Sequence, residues 1–286
     1  MPERWNILYR GPLSSCNYGC DYCPFAKTRN TALELRDDAE RLERFISWVE
    51  AQKDRKIGIL FTPWGEALIH KVYRVAIRRL SHLPHVYRVA IQTNLSAPVD
   101  WTAECDLNTA ALWTTYHPTQ VRFEKFVSRC HELSAIGTRF SVGVVGLKEA
   151  ESDIVRLREA LPPDVYLWIN AYKRDPNYYT EADLTRFEAI DPHFRTNTTY
   201  HPSLGKPCRA GHTSFTIDGE GDARRCHFID DAPIGNIYKD GSRFHEKLRA
   251  ENCPNSTCGC HIGYVHMNEM KLDAIYGDGI LERIPK

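Results

Sequence analysis

Six short runs rich in apolar and β-branched residues are spaced along the first two-thirds of the chain: WNILYR (5–10), KIGILFT (56–62), YRVAIQTN (87–94), AALWTTYH (110–117), RFSVGVVG (139–146) and VYLWINAY (165–172). Between most of them the apolar residues recur at helical spacing: Leu42, Phe45, Ile46 and Val49 within 37–53; Ile69, Val72, Tyr73, Ala76, Ile77 and Leu80; Val127, Cys130 and Leu133; and Ala150, Ile154, Leu157 and Leu161. Gly137 is placed to end the third of these helices in a left-handed cap. Strands alternating with helices in this way predict an α/β architecture, a parallel sheet wrapped by helices. Six units fall short of the eight of a closed barrel, so the expected fold is a partial (β/α)6 TIM-like barrel. Chemistry in such sheets gathers at the carboxyl ends of the strands. That expectation places Gly65, Glu66, Thr93, Asn94, Tyr116, His117, Gly146, Asn170 and Tyr172 around one mouth, with Lys173 a further pocket residue.

Near residue 195 the pattern changes. TNTTYHPSLGKP (196–207) lacks helical period, and two short strand candidates then flank the turn signal Asp218-Gly219-Glu220-Gly221. Residues 1–195 are therefore read as the barrel and 196–286 as a small Cys-rich α+β domain built on a hairpin. A formal net charge of zero and the lack of a long basic block argue against a nucleic-acid partner. The apolar runs are too short for a membrane span, and MPERWNILYR lacks the apolar core of a signal peptide. The expected location is cytoplasmic. A reducing cytosol turns attention to metal or catalytic roles for the ten cysteines.

Three of those cysteines fall in CNYGCDYC, as Cys16, Cys20 and Cys23, in a loop that follows the first strand and so sits on the same rim. Three spaced thiolates can hold three irons of a cubane cluster and leave the fourth iron open to a small molecule. The stretch resembles the Cys-x3-Cys-x-aromatic-Cys signature of the radical S-adenosylmethionine (radical SAM) superfamily, with Tyr22 as the aromatic. The resemblance implies that the open iron of a 4Fe–4S cluster chelates S-adenosylmethionine, which is cleaved reductively to a 5′-deoxyadenosyl radical that takes a hydrogen atom from substrate. TPWGEAL is similar to the family's Gly-Gly-Glu element, with Gly65 and Glu66 matching and Trp64 in place of the first glycine. Glu66 is then the expected partner of the methionine ammonium. QTNL proposes Thr93 and Asn94 near the ribose. VGVVGLKE proposes Gly146 near the adenine, with Glu149 also matching and Val142 where a glycine stands in the family.

The tail CRAGHTSFTIDGEGDARRCHF, then IGNI (234–237), then CPNSTCGC resembles SPASM/Twitch extensions, which carry auxiliary 4Fe–4S clusters. Cys208 and Cys226 would be two ligands of a single second cluster. Two more would come from Cys253, Cys258 and Cys260, the spare one being undecided. The resemblance implies a peptide or small-molecule substrate and a reductant such as flavodoxin or ferredoxin. The competing readings are a non-catalytic iron–sulfur electron carrier, or a zinc-stapled binding module on a degenerate barrel using His261 or His266 beside the cysteines. Cys130, on the apolar stripe of its helix, reads as a small core residue.

Overall fold

The structure, a computed structural model, describes residues 4–23, 25 and 28–286. Six strands run β1 (Arg4–Arg10), β2 (Lys56–Phe61), β3 (Val86–Thr93), β4 (Ala110–Tyr116), β5 (Arg139–Gly146) and β6 (Leu167–Ala171). They pair in sequence order and all in parallel, the arrangement of a partial (β/α)6 barrel. The intervening helices are α1 (Ala32–Ala51), α2 (Lys71–Ser81), α3 (Phe123–Ile136) and α4 (Glu151–Ala160).

Helix α1 begins five residues before the range 37–53 expected for it. Thr31 caps it, accepting from Glu34 N–H while the Glu34 carboxylate accepts from Thr31 N–H, a reciprocal box at the orphan end of the helix. Gly137 ends α3 at φ +85°, donating back to Leu133 O at 3.0 Å as expected. In α2 the stripe is narrower than expected. Tyr73, Ala76, Ile77 and Leu80 are buried, while Ile69, just before the helix, and Val72 face solvent. Cys130 is fully buried in the helix–sheet core.

The rest of the chain does not stand apart. After α5 (Glu181–Glu188), α6 (Phe194–Thr198) and β7 (His201–Pro202), strand β8 (Ser214–Asp218) pairs in parallel with β1. The hairpin to β9 (Asp222–Arg224), turned at Gly221 (φ +84°), and then β10 (Gly235–Asn236) extend the same sheet to nine strands. A short β11 (Thr257–Cys258) pairs with β7.

Alternation along the strands separates two cores. Ile7, Ile59, Ile91 and Leu112 face the helices. Leu8, Leu60, Ala90, Trp113 and Trp168 face inward and are covered by the last part of the chain, through α7 (His261–Tyr264) and α8 (Asp273–Tyr276) to Leu281. Buried Glu282 clamps this tail under the barrel. It pairs with Arg88 (3.0 Å) and Arg139 (3.1 Å), and its carbonyl accepts from Ser141 Oγ at 2.7 Å. Among the described residues no helix is long and apolar enough to cross a membrane.

Candidate active site

The loop leaving β1 is anchored before it reaches the cysteines. Asn30 Oδ1 accepts from the backbone N–H of Ser14 and of Ser15, at 2.9 Å each. Ser15 O accepts from Glu66 N–H at 3.1 Å, and Gly65 lies so close to that carbonyl that a Cβ would overlap it. The close backbone approach that a glycine permits is thus made by Gly65 alone. Trp64 instead turns outward, 38% exposed, edge-on to Phe25 and beneath the Arg10 guanidinium at 4.2 Å. Farther along, Gly19 N–H donates to Gln120 Oε1 (2.9 Å) and Arg174 donates to Tyr22 O (3.1 Å).

Held this way, Cys16, Cys20 and Cys23 line a cavity of about 310 Å³ together with Gly65, Glu66, Thr93, Asn94, His117 and Asn170. Residues far apart in sequence therefore meet at the carboxyl ends of the strands. Two larger depressions, of about 660 and 700 Å³, bring no such trio of thiols together, and the first shares Trp64 with this cavity. Cys16 Sγ accepts from Tyr18 N–H (3.4 Å) and from Asn94 Nδ2 (3.8 Å), donors that favour a thiolate. Burial pushes the Cys16 and Cys20 thiols up, so a cation is what would hold them deprotonated. His117 Nδ1 ties the loop to β4, 2.8 Å from Tyr22 Oη and 3.4 Å from Cys20 Sγ; burial lowers its pKa to about 4.

Glu66 lines this cavity yet is almost wholly buried, 1% exposed. Its carboxylate accepts from Leu68 N–H (3.0 Å), Thr93 Oγ1 (2.8 Å) and Asn94 N–H (2.5 Å), so it also fastens the tip of β3. Burial raises its pKa to about 7 against the pull of those donors. A raised folded-state value means that its contribution to stability is complete below the unfolded value near 4.5 and is lost as pH rises through about 7. The difference in unfolding free energy between wild type and Glu66→Gln is therefore expected to fall by up to about 3 kcal/mol between pH 4.5 and 8. A flat difference in paired denaturant titrations would contradict it.

Other expected rim residues divide. Tyr116 packs on Phe126 in the core. Tyr172 packs on Tyr178, and the Tyr179 hydroxyl joins Tyr172 N–H to Gly146 O (2.8 and 2.6 Å). Gly146 does not line the cavity, Glu149 is exposed and bonded to Tyr178, and Val142 lies buried within β5. Lys173 Nζ donates to Gly259 O. Missed by sequence reasoning were Gln92, Trp113, Thr115 and Trp168 on the inner face and Arg283 from the tail, while His261, considered there only as a zinc ligand, also lines this cavity. The pairs Trp113/Thr115 and Trp168/Asn170, two apart on one strand face, were a readable signal; Arg283 gave none.

A second, apolar cavity gathers Cys208, Cys226, Cys253 and Cys258 against Ala210, Phe228, Ile229 and Met267. Burial pushes Cys226 up to about 11 and Cys258 up to about 12. Cys260 is apart from this set and lines the first cavity instead. His266 is bonded to Ser214 Oγ (3.0 Å), and His261 lines the first cavity beside Trp113, so neither joins the four thiols. Among the described residues no three His, Cys, Asp or Glu side chains converge closely enough to hold a single metal ion.

No family model and no curated protein matches the sequence. Among solved structures, SuiB of Streptococcus suis bound to S-adenosylmethionine superposes with a TM-score of 0.58 at 16% identity, over 84% of this chain and 65% of SuiB. SuiB bound to its precursor peptide SuiA gives 0.55 at 16% identity, over 92% and 73%. Native anSMEcpe with bound AdoMet gives 0.54 at 14% identity, over 85% and 83%. The chain thus spans just under two thirds of the SuiB in the first of these structures. Likeness at such identities speaks to architecture, and on it the chain has the partial-barrel fold of the radical SAM enzymes.

Proposed function

We propose that this chain is a radical SAM enzyme with one catalytic and one auxiliary 4Fe–4S cluster, acting on a peptide or small-molecule substrate. The observation that carries the reading is the convergence, in one cavity, of Cys16, Cys20 and Cys23 with Gly65, Glu66, Thr93 and Asn94. The three thiols would hold a cluster with one open iron, and the bound cofactor would supply a 5′-deoxyadenosyl radical for hydrogen abstraction. The chain's own part is binding and orientation. Asn94 and Tyr18 N–H steady the Cys16 sulfur. Glu66, ionised, is suited to an ammonium. The aromatic walls of Trp113 and Trp168 limit water around a reactive centre. Tyr22 and Gly146 would act by support, through His117 and Tyr179.

We assign Cys208, Cys226, Cys253 and Cys258 to the auxiliary cluster because they border one cavity, with Cys260 as the spare. The segment 258–263 contributes to both cavities, Cys258 and Gly263 to the second and Cys260, His261 and Ile262 to the first. A flavodoxin- or ferredoxin-type reductant would feed the catalytic cluster. The precursor peptide bound by SuiB supports a peptide as substrate class.

The test of this reading is 5′-deoxyadenosine formation by the anaerobically reconstituted chain with dithionite and S-adenosylmethionine. Cleavage above the cluster-free control is expected. None with full iron occupancy would transfer the argument to an electron carrier. For the auxiliary site, Cys260→Ser should keep about eight irons per chain and Cys258→Ser should fall toward four. The reverse pattern would invert the ligand assignment.

A further inference from the structure

Arg283 is a costly residue where it stands. It is 1% exposed, its Nε has no hydrogen-bond partner, and no carboxylate among the described residues forms an ion pair with it. Its backbone is left-handed (φ +56°), a conformation that a residue with a side chain adopts only when its surroundings impose it. The neighbouring carboxylates are committed elsewhere: Glu282 to Arg88 and Arg139, Asp191 to Tyr166 Oη (2.6 Å) and Ile169 N–H (2.8 Å). The guanidinium carbon lies 4.5 Å over the Trp168 ring, and the side chain lines the cavity that holds the three cysteines. In the same wall His261 Nε2 is also buried without a partner.

Buried charges are paired or exist to be paired. We propose that Arg283 is the anchor for a carboxylate of the substrate, received as a bidentate pair, with His261 Nε2 as a second polar contact and Trp113 and Trp168 against the substrate's apolar part. The proposal deepens the active-site reading, since it takes the cavity to be where substrate sits. The Trp168 ring under its carbon confines the guanidinium, and the adjacent Glu282 clamp holds its backbone in the barrel. The substrate class is therefore an organic acid, whether a peptide with a free carboxylate or a small carboxylic acid.

The experiment follows thermal unfolding of the reconstituted full chain in sodium acetate against sodium chloride at matched ionic strength. Acetate should raise the midpoint by roughly 3 °C at tenfold above its Kd, and chloride should not. Arg283→Met should abolish the difference. Arg283→Lys, which keeps the charge and loses the fork, should weaken the acetate Kd about tenfold and keeps the test alive if the Met variant does not fold. Acetylated dipeptides as free acids and as C-terminal amides, beside succinate, distinguish the sources. A shift with the acid but not the amide identifies a peptide terminus, and a shift with succinate alone a small acid. Equal shifts in wild type and Arg283→Met would overturn the proposal. So would displacement of S-adenosylmethionine by acetate, because the anion site would then be the cofactor's. The acetate shift requires no turnover, so its failure and a failure to cleave the cofactor are read independently.

Discussion

Changing Cys16, Cys20 and Cys23 together to Ala will lower bound iron from about eight to about four per chain and abolish 5′-deoxyadenosine formation. The expectation follows from where the thiols lie. The three loop cysteines share a cavity with Glu66 and Asn94, while Cys208, Cys226, Cys253 and Cys258 surround a different one. None of the second set borders the first cavity, so its iron should survive. The loop is also held by bonds that involve no cysteine sulfur, through Asn30, Gln120 and Arg174, so the variant should still fold. Iron and acid-labile sulfide, quantified beside product formation, give the result directly. Loss of all iron would mean that the two sites do not assemble independently. Tightly bound zinc in place of iron would sink the enzyme reading.

A single methyl group at Gly65 should do nearly as much damage to the three-cysteine site. Its Cβ would overlap the carbonyl and carbonyl carbon of Ser15 and press on Cys16 N–H, all backbone atoms with no rotamer to escape into. Gly65→Ala must therefore push the cysteine loop away from β2 and break the Glu66 N–H to Ser15 O bond. Overpacking of this kind costs about 1–3 kcal/mol, which lowers Tm by several degrees in a chain of this size. Iron should fall toward the auxiliary complement alone. Trp64→Ala is the contrast. It removes an exposed ring and a cation–π contact worth about 0.5–1 kcal/mol, and leaves the loop in place. If the two variants lost iron equally, the close contact at Gly65 would not be what shapes the loop.

Comparison of the two residues also shows where the sequence departure at position 64 falls. Of two adjacent positions where the resembling family carries glycine, only one faces backbone. The pattern shows residue types and spacing, whereas which side of a turn meets a carbonyl depends on where the neighbouring loop comes to rest. Glu66 teaches the same lesson in reverse. Its type and its place after β2 were readable, but its burial, and the three donors that make it a fastening for β3, arise only when the strand tips are brought together.

By itself the sequence determined the six parallel strands, the four principal helices and the cysteine loop on the carboxyl rim. These rest on short-range causes: two- and 3.6-residue periodicity, a capping glycine, three thiols within eight residues. Only the tertiary structure decided that β8 would join β1 and that the tail would fill the inner face of the barrel. It alone assigned Cys258 and Cys260 to different cavities, and it alone carried Arg283 to the cavity of the three loop cysteines. Those outcomes depend on contacts between residues tens to hundreds of positions apart. An edge strand accepts any partner with free backbone groups, and an apolar inner face accepts any apolar cover, so neither choice leaves a periodic mark in the chain.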